Sequence, residues 1–166
     1  GVNDRAQLAA LNHLLQTERR AALMAQGVTL VNPDTVYING TGISIGSDTV
    51  IEPNVTLNGP IAIGHQVTIG FGSHLTGATI GDQNVIKPYT VIDSATVGSM
   101  AQIGPFARLR PGTNLGNSTH IGNFCETKNA VVGEGSKVND LSYVGDATLG
   151  QDVNIGAGTI TCNYDG

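Results

Sequence analysis

Tryptophan is absent from this 166-residue chain, and its aromatic side chains amount to four tyrosines and three phenylalanines. Charge is scarce too: 13% of residues are Asp, Glu, Lys or Arg, about half the usual share. A coiled coil or helical bundle needs far more Glu, Lys and Arg, so both are excluded. No stretch approaches the ~20 consecutive apolar residues of a membrane span, and nothing at the start resembles a secretory signal; no membrane partner is expected. A net charge of −5 and a pI of about 5.1 argue against bulk nucleic-acid binding. Two cysteines, Cys125 and Cys162, fit neither a disulfide framework nor a metal pattern and point to a reducing compartment. Disorder is disfavoured, because 40% of residues are apolar and the net charge is small. Against these shortages stand 23 glycines. So much glycine in so neutral a chain points to repetition.

Residues 4–26 read as one amphipathic helix. Asn3 or Asp4 supplies the N-cap, since either side chain can accept from orphan N–H groups of the first turn. Leu8, Leu11 and Leu15, with Leu14 beside them, share a face at three- and four-residue spacing. Gly27 is the expected stop. Residues 28–44, containing Asn32-Pro33-Asp34 and Asn39-Gly40, read as a transition with turns.

From Ile45 onward the chain repeats. Aliphatic-glycine pairs occur at Ile45-Gly46, Ile63-Gly64, Ile80-Gly81, Val97-Gly98, Leu115-Gly116, Val132-Gly133 and Leu149-Gly150, each one seventeen or eighteen positions after the last. Each interval divides into three steps of six, or two of six and one of five. The guide positions run Val97, Ile103, Leu109, Leu115, Ile121, Thr127, Val132, Val138, Val144, Leu149, Ile155, Thr161. Four residues after each comes a small or β-branched residue, among them Ala101, Thr113, Cys125, Val131, Ser136 and Thr148. This is a hexapeptide repeat.

A six-residue step makes a short strand and a corner, and three steps close one triangular coil. Successive coils pair in parallel at ~4.8 Å, with one large and one small residue per side pointing inward. So narrow a prism has no room for large aromatics, and neighbour stacking supplies its stability. The general crossover rule predicts a right-handed coil. The sequence ends inside a hexapeptide with no capping element, which predicts a piece of a longer solenoid.

Arg110 and Lys128 each follow an inward position and are separated by three six-residue steps, one full coil. They are expected to stack on one face in successive coils. Two cations ~5 Å apart repel unless an anion bridges them, and a phosphate suits the guanidinium fork and the ammonium together. The alternative is a pair of solvated surface charges.

Longer motifs carry a resemblance over essentially the whole chain. They are Gly1-Val2-Asn3; Gly104-Pro105-Phe106-Ala107-Arg108-Leu109-Arg110-Pro111-Gly112; Gly122-Asn123-Phe124 with Glu126 and Lys128; Tyr143-Val144-Gly145-Asp146; and the run from Asn154 to Gly166. The chain resembles the bacterial family of bifunctional N-acetylglucosamine-1-phosphate uridyltransferases and glucosamine-1-phosphate N-acetyltransferases, within the hexapeptide-repeat acyltransferases. That resemblance implies an all-β fold after the helix: a single-stranded left-handed parallel β-helix of about seven coils, against the crossover rule. It implies a homotrimer in the cytoplasm that moves acetyl from acetyl-CoA to the amine of glucosamine 1-phosphate. Residues 1–27 would be the linker helix following a nucleotidyltransferase domain, and residues 45–166 the acetyltransferase domain. Asn3 matches that other domain's Mg²⁺-binding asparagine.

Residue by residue, the resemblance implies that Arg110 and Lys128 hold the sugar phosphate and that Tyr143 and Asn154 contact it. Asn163 and Tyr164 would lie near the substrate amine and the acetyl donor. The family's catalytic histidine precedes the tyrosine by three residues, and here that position is Asp140, in Asn139-Asp140-Leu141-Ser142-Tyr143. An imidazole accepts a proton far better at neutral pH than an ordinary carboxylate, so impaired acetyl transfer is expected. His120, in one column with Lys137 and Asn154, is either a shifted base or simply an outward polar position. The competing class is a non-catalytic β-helix serving as a trimerisation module or scaffold.

Overall fold

The computed structural model describes residues 1–163. Helix α1 spans Arg5–Ala25. Asp4, not Asn3, is its cap: Asp4 Oδ1 accepts from the Gln7 N–H at 2.8 Å, while Gln7 Oε1 accepts from the Asn3 N–H at 2.7 Å, a reciprocal closure of the first turn. The helix ends where expected. Gly27 takes φ +89°, its N–H reaches the Met24 carbonyl, and the Val28 N–H reaches that of Leu23, the pairing of a Schellman stop.

The expected leucine face does not pack. Leu8, Leu11, Leu14 and Leu15 are exposed, and the buried helix residues are Gln16, Arg20 and Leu23. The cause lies in the strand beneath. Tyr37–Asn39 is the first strand of its sheet, so one row of its backbone groups faces no neighbouring strand. Gln16 stands in for one: its Nε2 donates to the Ile38 carbonyl at 2.9 Å and its Oε1 accepts from the Ile38 N–H at 2.8 Å. Arg19 Nη1 donates to the Ile38 carbonyl at 2.6 Å, and Arg20 Nε to that of Val36 at 2.8 Å. Leaving buried backbone groups unpaired costs about 1–3 kcal/mol each, and that demand orients the helix.

Beyond the helix the chain is a left-handed parallel β-helix of about seven coils. Among the described residues, twenty-two short strands form three sheets. Face A holds eight, from Thr29–Leu30 to Asn154–Ile155; face B seven, from Tyr37–Asn39 to Tyr143–Gly145; face C seven, from Ile43–Ile45 to Thr148–Leu149. Every strand pairs in parallel with the strand one coil away. Residues 28–44, read as a transition, therefore contain most of the first coil. The right-handed expectation from the crossover rule is corrected: that rule describes longer connections that pack back onto a sheet. Here corners of a few residues turn at left-handed positions such as Asp48, Gln66, Met100 and Ser118, with φ between 56° and 63°.

The guide residues are the core. Ile51, Ile69, Ile86, Ile103 and Ile121 stack inside face A, Leu57, Leu75, Ile92 and Leu109 inside face B, and Ile63, Ile80, Val97 and Leu115 inside face C, all buried. Two expected inward residues are corrected. Val131 is 46% exposed and Thr148 is exposed, while Ala130 is fully buried and Ala147 packs against the core. The five-residue steps Leu75–Ile80, Ile92–Val97, Thr127–Val132 and Val144–Leu149 all cross from face B to face C. A shortened step brings its inward small residue three places after the guide, so Ala78, Ala95 and Ala130 take that place and are buried.

Candidate functional site

Face B in the upper coils gathers most of the expected residues. Its register pairs Arg108 with Glu126 and Leu109 with Thr127, so Arg110 and Lys128 are neighbours in successive coils, as their one-coil separation predicts. The next strand pairs Tyr143 with Glu126 and Gly145 with Lys128, and Tyr143 in turn bridges to Ile160. Leu109 and Thr127 point inward and are buried, while Arg110, Glu126, Lys128 and Tyr143 lie half-buried on the outer surface.

Arg110 already holds an anion. Its Nη1 donates to Glu126 Oε1 at 3.0 Å, and Arg108 Nη1 lies 3.8 Å from the same oxygen. Spacing did not single out Glu126 or Arg108 as site residues. The available signal was their opposite charge one coil apart in the sequence, which the register places side by side. With about a third of each side chain exposed, the Arg110–Glu126 pair adds at most about 1 kcal/mol to stability. Its effect is to fix the guanidinium beside Lys128.

Above the cations, Tyr143 folds over Gly145, where a Cβ would collide with the tyrosine hydroxyl. Thr161 Oγ1 accepts from the Gly145 N–H at 2.8 Å and donates to its carbonyl at 3.0 Å. Asn163 Nδ2 donates to the carbonyls of Gly145 at 2.7 Å and Asp146 at 2.9 Å. Asn163 thus joins Arg110, Lys128 and Tyr143 on face B. Tyr164 lies outside the described residues.

Asn154 stands elsewhere. The column His120–Lys137–Asn154 is confirmed by register, on face A. Asp140 occupies the corner between the two faces, exposed, at φ +49°. Its carboxylate lies over Gly122, where a Cβ would sit 3.1 Å from Asp140 Oδ1. Its carbonyl accepts from Ser142 Oγ at 3.1 Å. A single copy therefore splits the expected residues over two faces of a convex edge.

Burial holds the His120 imidazole below its ordinary value, and Lys87 and Lys137 push the same way, while Asp140 opposes them. Burial likewise pushes the Cys125 thiol up. That suits its place in the inward small series rather than a nucleophile. Cys162 is exposed. Asn3 stands exposed at the foot of α1, and one amide does not make a Mg²⁺ site. Among the described residues no cluster of three or more His, Cys, Asp or Glu is placed to hold a metal, and no helix is long and apolar enough to cross a membrane.

Comparison with known proteins bears on the coils and on the sequence as a whole. The family of bacterial transferase hexapeptides (six repeats) matches residues 42–77. Across all 166 residues the chain is 51% identical to the bifunctional protein GlmU of Anaeromyxobacter sp. (strain Fw109-5), 49% to that of Pelobacter propionicus and 45% to that of Baumannia cicadellinicola. It spans 34%, 36% and 35% of those proteins' lengths respectively, about a third of each. A solved N-acyltransferase from Bacillus cereus is 20% identical with a TM-score of 0.43, over 79% of this chain and 80% of that one. Hexapeptide coils, their register and identity along the full chain lead to one conclusion: this chain carries the bacterial transferase hexapeptide repeat and is similar throughout to a segment of the bifunctional GlmU proteins.

Proposed function

We propose that these coils carry acetyl transfer from acetyl-CoA to the amine of glucosamine 1-phosphate. The parent protein would also make UDP-N-acetylglucosamine from UTP, in a Mg²⁺-dependent nucleotidyltransferase domain to which Asn3 contributes. It would act as a homotrimer in the cytoplasm. The observation that carries the acetyl-transfer reading is the pair Arg110 and Lys128, in register on face B beneath Tyr143 and Asn163.

A phosphate monoester laid across that pair meets a guanidinium fork and an ammonium, and replaces Glu126 as the principal partner of Arg110. The sugar then extends toward Tyr143 and the Asp140 corner, bringing its amine near the edge. The resemblance adds two further contacts, from Asn154, which stands on face A, and from Tyr164. The amine nitrogen attacks the thioester carbonyl, a C–N bond forms, the C–S bond breaks, and coenzyme A leaves as its thiol. The proton lost by nitrogen needs an acceptor, and Asp140 holds the position for one. Carboxylates are weaker general bases than imidazoles at neutral pH, so the chemical step is expected to be slow. Asn163, close to the last described coil, fits a contact to the acetyl donor.

General-base catalysis contributes about 10²–10⁴-fold. Asp140→His in the full-length protein is therefore expected to raise kcat about 100-fold with little change in KM for glucosamine 1-phosphate. Unchanged kcat in a folded variant would remove Asp140 from the base position. Absence of acetyl-CoA binding would favour the scaffold reading.

A further inference from the structure

At the lower end of the prism, where α1 crosses the first coil, an open-mouthed cavity of about 360 Å³ lies between the helix and the turn leading into face C. Helix positions 19, 22, 23 and 26 follow one another at helical spacing and so share a face. They line one side of the cavity, and Ile38, residues 40–42 and Ile43 line the other. The walls are aliphatic at Ala22, Leu23, Ile38 and Ile43, and the charged residue of the lining is Arg19. A volume of ~300–1,000 Å³, mostly apolar walls and a few fixed polar groups are the usual make-up of a small-molecule site.

Arg19 is already positioned. Its Nη1 donates to the Ile38 carbonyl at 2.6 Å, which fixes the half-buried guanidinium and leaves its other N–H groups without a protein acceptor among the described residues. Beside it, Arg20 is only 4% exposed. Its Nε and Nη2 donate to the carbonyls of Val36 and Asp34, and its Cζ lies 5.7 Å from the Tyr37 ring centre. Among the described residues neither arginine has a carboxylate partner, the ion pairs there being those of Arg108 and Arg110 with Glu126. Two adjacent positive charges drawn out of water thus lack a counter-charge, and burying an unpaired charge is costly.

We infer that this cavity binds a small aliphatic carboxylate, its carboxyl group on Arg19 and its chain along Ala22, Leu23, Ile38 and Ile43. A guanidinium donates to both oxygens of a carboxylate at once. A monoanion suits the cavity better than a phosphate monoester does. Arg20 is turned to Val36 and Asp34 and does not line the cavity, so a single cation faces the ligand, where face B offers Arg110 and Lys128 together. The walls carry no aromatic ring and no second charge, which selects an aliphatic body. Such a ligand touches both α1 and the first coil, so its binding clamps the helix onto the prism. The inference is independent of the acetyl-transfer reading, whose residues stand in the upper coils.

The test is calorimetric titration of octanoate into this chain, with circular dichroism to verify the fold of each variant. The wild type is expected to bind with a Kd of about 1 mM or tighter, and its Tm to rise with octanoate concentration. Octanol and octylamine, which lack the anion, are expected to bind at least about 10-fold more weakly, and Arg19→Gln should weaken octanoate to the same degree. Ala22→Phe fills the cavity from an exposed helix position and should abolish binding. It lies away from the contact between Arg19 and Ile38, so it decides the matter even if Arg19→Gln does not fold. No heat and no rise in Tm up to about 10 mM octanoate would overturn the inference. So would unchanged affinity in a folded Ala22→Phe, or octanol binding as tightly as octanoate. Binding lost in Leu11→Gln would place the ligand on the exposed leucine face and contradict the cavity assignment.

Discussion

Face B has two halves built on the same scaffold and filled differently. In the lower coils the outward row is Asn39, Asn58 and Thr76, and it satisfies itself. Asn39 Nδ2 donates to Asn58 Oδ1 at 3.0 Å, Asn58 Nδ2 donates to Thr76 Oγ1 at 3.1 Å, and Asn58 lies 2.8 Å from His74 Nε2. In the upper coils the same row passes through Asp93 to Arg110 and Lys128, and among the described residues only Arg110 of these two cations is paired, with Glu126. Strand spacing and inward packing are shared, so the difference is confined to what points out. A neutral ladder closes its hydrogen bonds within the protein and leaves nothing for a ligand. Among the described residues the two cations leave an ammonium and part of a guanidinium unspent, which is what an anion needs.

The strongest way to break this comparison is to show that the two halves differ inside. Leu75→Ala and Leu109→Ala remove fully buried side chains from the lower and upper coils, and each should cost about 2–5 kcal/mol. Chemical denaturation that found one variant near neutral would show that the halves do not share a scaffold. Next in size are the outward rows. Asn58→Ala is expected to lower stability by about 1 kcal/mol through its lost ladder, whereas Lys128→Ala should stay within about 0.5 kcal/mol of the parent. The reverse order in urea titrations would make the upper row structural.

A smaller effect distinguishes the half-buried His120. Its folded value is lowered, so below the ordinary imidazole value near 6.5 the unfolded chain binds more protons. His120 therefore takes stability away as pH falls from about 6.5 toward its folded value. His120→Gln should flatten the fall of Tm between pH 7.5 and 5.5, and an unaltered fall would count against that reading. Glu126→Gln should likewise change stability by less than about 1 kcal/mol, since its ion pairs are partly exposed. A larger loss in a melting curve would give Glu126 a structural part.

The repeat and the pairing of Arg110 with Lys128 were legible in the sequence because a coil is a fixed count of residues. The same count misplaced Val131 and Thr148, since a five-residue step alters only the corner, and hydrophobicity alone favours valine over Ala130. Helix orientation was hidden for another reason. Leucine periodicity records apolar surface but not the open backbone edge at Val36 and Ile38, which Gln16, Arg19 and Arg20 cover. The first coil was obscured by Pro33, Gly40 and Gly42, which interrupt the aliphatic-glycine rhythm. The split of Asn154 from Lys128 became visible only once each hexad was assigned to a face.

Calorimetric titration of glucosamine 1-phosphate into the full-length protein tests the central claim most directly. Hydrogen bonds to charged groups are worth about 1.5–3 kcal/mol, so Arg110→Ala and Lys128→Ala should each weaken binding about 10–100-fold. Asn58→Ala, on the neutral half of the same face, should leave it unchanged. Equal affinity in all three variants would contradict the assignment of the cationic row as the sugar-phosphate site.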